Sequence, residues 1–428
     1  MRSALHRSVG FALCLAACVG SATVVSAQAL EIRGRVLDRD HEGVPGAAIE
    51  LQVLLPAHQL AERQLAGEEP EVTRRTRSDA DGEFILVAPA AGFWKVLVQH
   101  GESLPASFDL SPLLGERRLP DLVLQHRSEL VARLLPEVPP GEEGMASGET
   151  PDAEPLVDSS GESLPSTEVE LIVRGWSEAW QASAAEGWWP ADRRVLTRTD
   201  GFVGLPCASD EKVSVAARLP GGFVYATARC DAGWLELRRV PLRRGRVVQA
   251  NGAVAAGVQG FVRWPFVAFG ASDAEGYLRG PFDWSGSVPV AFADVQAFYG
   301  EARLVPPGLA EPPTGATAES LPDRAGEPIL ELPPMVHLSG QVIDTADERP
   351  LPGAWLWVGR GVHSFHQAGR GGAFTMSVPE TEAATLRCGA PGYLTIAYGP
   401  FAEDMADLEA RLTPAVSLPG RVVDGDGE

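Results

Sequence analysis

Few residues of this chain have the types and spacing that chemistry needs. His363 and His366 form an H-x-x-H, which holds zinc only where a turn brings both imidazoles together and further ligands join them. On a strand, residues three apart point to opposite faces, so no metal site is expected there. His58 is followed by Glu62, one position too far for the His-x-x-Glu pair of a zinc peptidase. Gly175-Trp176-Ser177-Glu178-Ala179 approaches the nucleophile elbow of a serine hydrolase, but it ends in alanine and the sequence offers no strand-to-helix context for it. Asp79-x-Asp81-Gly82 and Asp424-x-Asp426-Gly427 have the look of calcium loops. A full loop needs more oxygen ligands and a distal acid, and Glu83 is adjacent rather than distal, so turn capping is the simpler expectation. These residues predict no catalysis, no metal and no cofactor.

Two groups remain. Trp176, Trp180, Trp188 and Trp189 fall in one short stretch. Exposed indoles stack on sugar faces and anchor protein contacts, so these four are the candidate ligand-binding surface, for a glycan or a cell-surface protein. Buried, the same rings would fill a core or cover a sheet edge. Cys207 and Cys230 are the candidate disulfide of an exported chain, the alternative being buried free thiols. Cys388 is then left over as a small core residue.

The first residues read as an export signal. Arg2, His6 and Arg7 precede an apolar run over 9–25, and Val25-Ser26-Ala27 before Gln28 is a small-residue cleavage site. Leu15-Ala16-Ala17-Cys18 also has the shape of a lipobox, which would place a lipid on Cys18, and both readings stay open. The run falls short of the ~20 residues that spanning needs, and no other segment is long and apolar enough. Periplasm, cell surface or medium is the expected location. The formal charge of −21, with 36 basic against 57 acidic residues, excludes nucleic acid as a partner, because that affinity comes from basic phosphate contacts.

The elements that must position these residues are short strands. Ile49, Leu51 and Val53 alternate with Glu50 and Gln52, and Val169, Leu171 and Val173 alternate with Glu168, Glu170 and Arg174. Trp94, Val96 and Val98 form a weaker case, and Trp355 and Trp357 share a strand face that suggests core. Residues 177–185 and 402–411 are the fair helix candidates. A strand-like phrase recurs: Leu30-Glu31-Ile32-Arg33-Gly34-Arg35-Val36, then Leu242-Arg243-Arg244-Gly245-Arg246-Val247, His337-Leu338-Ser339-Gly340-Gln341-Val342 and Ser417-Leu418-Pro419-Gly420-Arg421-Val422. A weaker copy is Glu129-Leu130-Val131-Ala132-Arg133-Leu134. Repetition on this scale marks one structural unit used several times. Within a unit the phrase leads to a turn and a second strand, then to a glycine turn followed by an aromatic, as in Asp79-Ala80-Asp81-Gly82-Glu83-Phe84 and Asp273-Ala274-Glu275-Gly276-Tyr277. An apolar strand closes each unit, as in Leu122-Val123-Leu124 and Ile329-Leu330-Glu331-Leu332.

This order predicts an all-β chain, a tandem array of small antiparallel Greek-key sandwiches without a large helical domain. The expected division is a signal peptide over 1–27 and modules over 28–127, 128–241, 242–335 and 336–415. Residues 416–428 then form the first strand of a truncated fifth module, so the sequence reads as a fragment. Segments 136–166 and 306–328, rich in Pro, Gly, Glu and Ser, interrupt the second and third modules as surface loops or linkers.

G-x-V-x-D, then G-x-P-x-x-G-A, T-D-x-x-G-x-F and P-G-Y (Ala390-Pro391-Gly392-Tyr393) resemble the carboxypeptidase regulatory-like domain family. The resemblance implies a transthyretin-like, carbohydrate-binding-like sandwich and an accessory, non-catalytic role. Related modules can carry Lys–Asn crosslinks, but with only Lys95, Lys212 and Asn251 none is expected. The reading is an exported structural, adhesive or spacer protein whose modules join end to end. The alternatives are a carbohydrate-binding accessory region using the tryptophans, and an accessory region of an enzyme or receptor whose active domain lies beyond residue 428.

Overall fold

The computed structural model describes residues 30–101, 103–135, 168–198, 201–220, 222–282, 288–294, 297–305, 327–358, 365–380 and 385–415. The signal segment with Cys18, the 136–166 insertion, most of 306–328, His363 and residues 416–428 lie outside these.

Alternation builds the strands. Ile49 and Leu51 on Ala48–Val53 are fully buried, while Glu50 and Gln52 face out. Among the described residues the strands assemble into eight sheets, paired as four sandwiches. In the first, Leu30–Leu37 is flanked by Glu83–Ala88 and Arg117–Arg118, and Leu122–Val123 also pairs with it. The facing sheet runs Val72–Arg77, Ala48–Val53, Gly92–Gln99, Ala106–Leu113. The other sandwiches centre on Ser128–Leu134, Arg243–Val248 and Met335–Asp344 in the same way. Each of these opening strands pairs antiparallel with the strand after the glycine turn and parallel with the closing strand, for example with Ile329–Glu331 in the third and Met405–Leu412 in the fourth.

The recurring glycine and aromatic belong together. Gly34 is the register partner of Phe84, whose ring lies over the space a Cβ at 34 would occupy. The turns hold themselves: Asp79 accepts from the N–H groups of Asp81 (3.0 Å) and Glu83 (2.9 Å), and Asp273 does the same for Glu275 and Tyr277. Gly82 and Gly276 take the left-handed φ these turns need, +78° and +81°. One Asp79 oxygen, Oδ1, thus takes both turn amides, which is the capping role expected for this motif.

Three features depart from the sequence reading. The 402–411 helix candidate is the strand Met405–Leu412, because Ala410 and Leu412 face the core at strand spacing. Helix α1, Ala57–Ala66, has no counterpart among the expectations, whereas α2, Glu178–Glu186, falls where a helix was expected. The third departure concerns arrangement.

The sandwiches are not beads joined end to end, for the first touches all the others. Trp188–Pro190, from the second, adds as an antiparallel edge strand to Ala106–Leu113 of the first. Helix α1 leaves the first sandwich and lays Ala57 and Ala61 on Phe261, Ala268, Ala291 and Ala293 of the third. Phe93 of the first stacks on Phe365 of the fourth, centroids 3.9 Å apart, with Trp355 and Trp357 edge-on around it. The second and third sandwiches share Ala216 and Phe223 in one core.

Candidate functional site

The tryptophan group divides in two. Trp180 and Trp188 are fully buried and belong to the core of the first sandwich. Trp188 meets Phe108 edge-to-face at 5.1 Å, and its indole N–H donates to the Pro120 carbonyl at 2.9 Å. Neither ring can lie on a sugar from that position, so the four-ring binding surface read from the sequence shrinks by half. The cause is strand addition, which draws this segment into the neighbouring module's core. Trp176, 38% exposed, and Trp189 remain at the surface as a tilted pair with centroids 5.5 Å apart. Nearby, the Arg174 guanidinium lies over Trp264 at 4.2 Å and faces Asp192 at 3.4 Å. Trp355 and Trp357 turn away from their own core, which Leu356 fills, and pack on Phe93 instead.

Cys207 and Cys230 form a disulfide with Cα atoms 6.0 Å apart, in the core of the second sandwich. Cys388 is free and buried, and desolvation pushes its thiol up to about 12. The His58 imidazole on α1 is held below its usual range by burial. His366 lies on Phe365–Gln367. His58 and His366 line a shallow cleft of about 550 Å³ between the first and fourth sandwiches, beside Phe93 and Trp355. Among the described residues no three His, Cys, Asp or Glu side chains converge to hold a metal.

Ser177 does stand between a strand, Glu170–Trp176, and a helix, α2, a setting not legible in the sequence. Its hydroxyl is buried and caps the helix by accepting from the Trp180 N–H. Gly175 before it leaves room for the Glu211 carboxylate, which is fully buried and doubly hydrogen-bonded to Arg193 at 2.6 and 3.0 Å. That buried pair is structural, tying the strand Arg193–Leu196 to the residue before Lys212–Leu219.

A second cleft, of about 830 Å³, lies where the first three sandwiches meet. Its floor is the outer face of the first sandwich's longer sheet, with Glu50, Lys95 and Leu97 on neighbouring strands. Arg174 and Arg194 of the second sandwich and Gln64 of α1 form its walls. The arrangement offers charge and hydrogen bonds on a broad open surface, which suits binding.

No family model and no curated protein matches the sequence. Among solved structures, a shaft pilin SpaA from Lactobacillus rhamnosus GG aligns at 9% identity over 50% of this chain and 98% of its own, TM-score 0.18. A streptococcal ancillary pilin aligns at 9% identity over 90% and 99%, TM-score 0.17. The Bacillus anthracis TIE protein aligns at 11% identity over 90% and 74%, TM-score 0.17. At these scores the likeness carries no argument about what this chain does. No helix among the described residues is long and apolar enough to cross a membrane.

Proposed function

We propose that this chain is an exported, non-catalytic structural and adhesive protein, a rigid scaffold of four sandwiches locked together by the first. The observation that carries the reading is that one sandwich supplies three different locks: it accepts a strand from the second, sends a helix to the third and stacks a ring on the fourth. Folded-back modules with shared cores hold surface loops at fixed spacing, which flexible beads do not. The Cys207–Cys230 bridge supports an oxidising compartment, as does the basic and apolar N-terminal segment. The accessory role implied by the carboxypeptidase regulatory-like resemblance agrees with a scaffold.

Calorimetry tests the locking. A substitution in the first sandwich should lower the unfolding temperature of the others, whereas independent beads would each keep their own transition.

A second reading, carbohydrate binding, is favoured by the surface pair of exposed Trp176 and half-buried Trp189 alone. A glycan array with the intact chain and with Trp176→Ala and Trp189→Ala tests it, and no sugar signal from the intact chain removes it.

A further inference from the structure

The three-sandwich cleft has a charge balance unlike the rest of the chain. In a protein of formal charge −21 it gathers Arg75, Arg77, Lys95, Arg127, Arg174 and Arg194 around one space. Lys95 is one of two lysines in the sequence. Arg77 and Arg127 are exposed and have no carboxylate partner among the described residues; the Arg77 guanidinium donates only to the Gly46 carbonyl, at 3.0 Å. Repulsion from the acidic remainder is screened beyond roughly 8 Å at physiological salt, so the local cations decide what enters.

The other cations alternate with acids. Arg75 meets Glu50 at 2.9 Å, Arg174 meets Asp192 at 3.4 Å, Arg194 meets Glu69 at 3.6 Å and Glu170 at 3.4 Å, and Lys95 meets Asp109 at 3.7 Å. A strand of carboxylates without hydroxyls, such as poly-glutamate, would be repelled by such carboxylates. A polymer that carries hydroxyls beside its carboxylates can satisfy both kinds of group. Its hydroxyls donate to Glu50 and Asp192, and its carboxylates meet the planar donor forks of Arg77 and Arg127. Gln52 and Gln99 on the floor add neutral donors and acceptors, and Leu97 between them gives an apolar patch for the C–H face of a ring.

We propose that this cleft binds an acidic polysaccharide, a chain of sugars bearing carboxylates. The site is separate from the tryptophan pair and does not depend on the scaffold role; a locked particle that binds no anion would leave that role standing.

Titration calorimetry of the intact chain with oligogalacturonate at low salt tests it, beside neutral dextran and poly-glutamate. Two double variants make the same change in net charge: Arg77→Glu with Arg127→Glu in the cleft, and Arg117→Glu with Arg118→Glu on a distant exposed strand. The expected result is saturable binding of oligogalacturonate, weakened by roughly tenfold or more in the cleft variant only. Should the cleft variant fail to fold, Lys95→Gln is read in its place, with a smaller loss. Absence of binding, equal losses in both double variants, or dextran bound as tightly would overturn the proposal. Poly-glutamate bound as tightly would overturn it in favour of an acidic peptide.

Discussion

The side-chain oxygen of Gln64 accepts a hydrogen bond from the backbone N–H of Ala268 at 2.9 Å, across 204 residues of sequence. Its side-chain N–H donates in turn to the Phe266 carbonyl at 3.0 Å. Ala268 lies on Val267–Ala271, the edge strand of its sheet. An open edge is a template for unwanted pairing, and here one amide on α1 imitates a neighbouring strand. The bond therefore joins two sandwiches and protects one of them.

Replacing Gln64 by alanine leaves one buried donor and one acceptor without partners. Unfolding in denaturant should show a loss of about 1–3 kcal/mol. Gln64→Glu keeps the acceptor and loses the donor, and should fall between the two.

Phe93 and Phe365 should be energetically coupled, because their stacked rings meet across two sandwiches. A double-mutant cycle with alanine at each position should return a coupling of about 0.5–1.5 kcal/mol, the usual range for aromatic pairs. Additive losses would mean that the fourth sandwich does not rest on the first.

Glu211→Gln should destabilise the second sandwich by about 3–5 kcal/mol, because Arg193 is left as an uncompensated buried charge. Gly175→Ala should also be costly, since its new methyl group would meet the Glu211 carboxylate. In a Glu211→Ala background the same glycine change should cost less, so the two are not additive. Chemical denaturation of the four chains measures this.

The raised thiol of Cys388 has a signed consequence. Below about pH 8.5 the thiol is neutral in both folded and unfolded chains and has no effect on pH dependence. Above it, the unfolded chain ionises first, so stability falls as pH rises toward the folded value of about 12. Mass spectrometry after iodoacetamide treatment should find Cys388 unmodified in the native chain at pH 9 and alkylated after unfolding. Cys388→Ala should flatten the stability loss between those pH values.

Much of each module was legible because its signals are local. The Gly34–Phe84 contact is encoded by two phrases that recur, and the Asp79 turn by four adjacent residues. Strand Met405–Leu412 reads as a helix in the sequence because Met405, Leu408 and Leu412 also fit helical spacing; the parallel partner Met335–Asp344 decides it. The fate of the tryptophans was not legible, since Trp188 and Trp189 are adjacent and of one type. Which of them is buried depends on the register with Phe108 and Ser107 in another module. Helix α1 was hidden for a related reason: its buried face consists of Ala57 and Ala61, small residues whose partners lie on a distant sandwich. The cleft could not be read at all, because its cations come from strands far apart in sequence.

Small-angle X-ray scattering from the intact chain and from an Ala61→Arg, Phe93→Ala double variant tests the locking most directly. The intact chain should give the distance distribution of one folded-back particle, and the variant should give a larger radius of gyration as the first sandwich comes away from the third and fourth. An elongated, rod-like distribution from the intact chain, or identical curves from both proteins, would contradict a scaffold held together by its first sandwich.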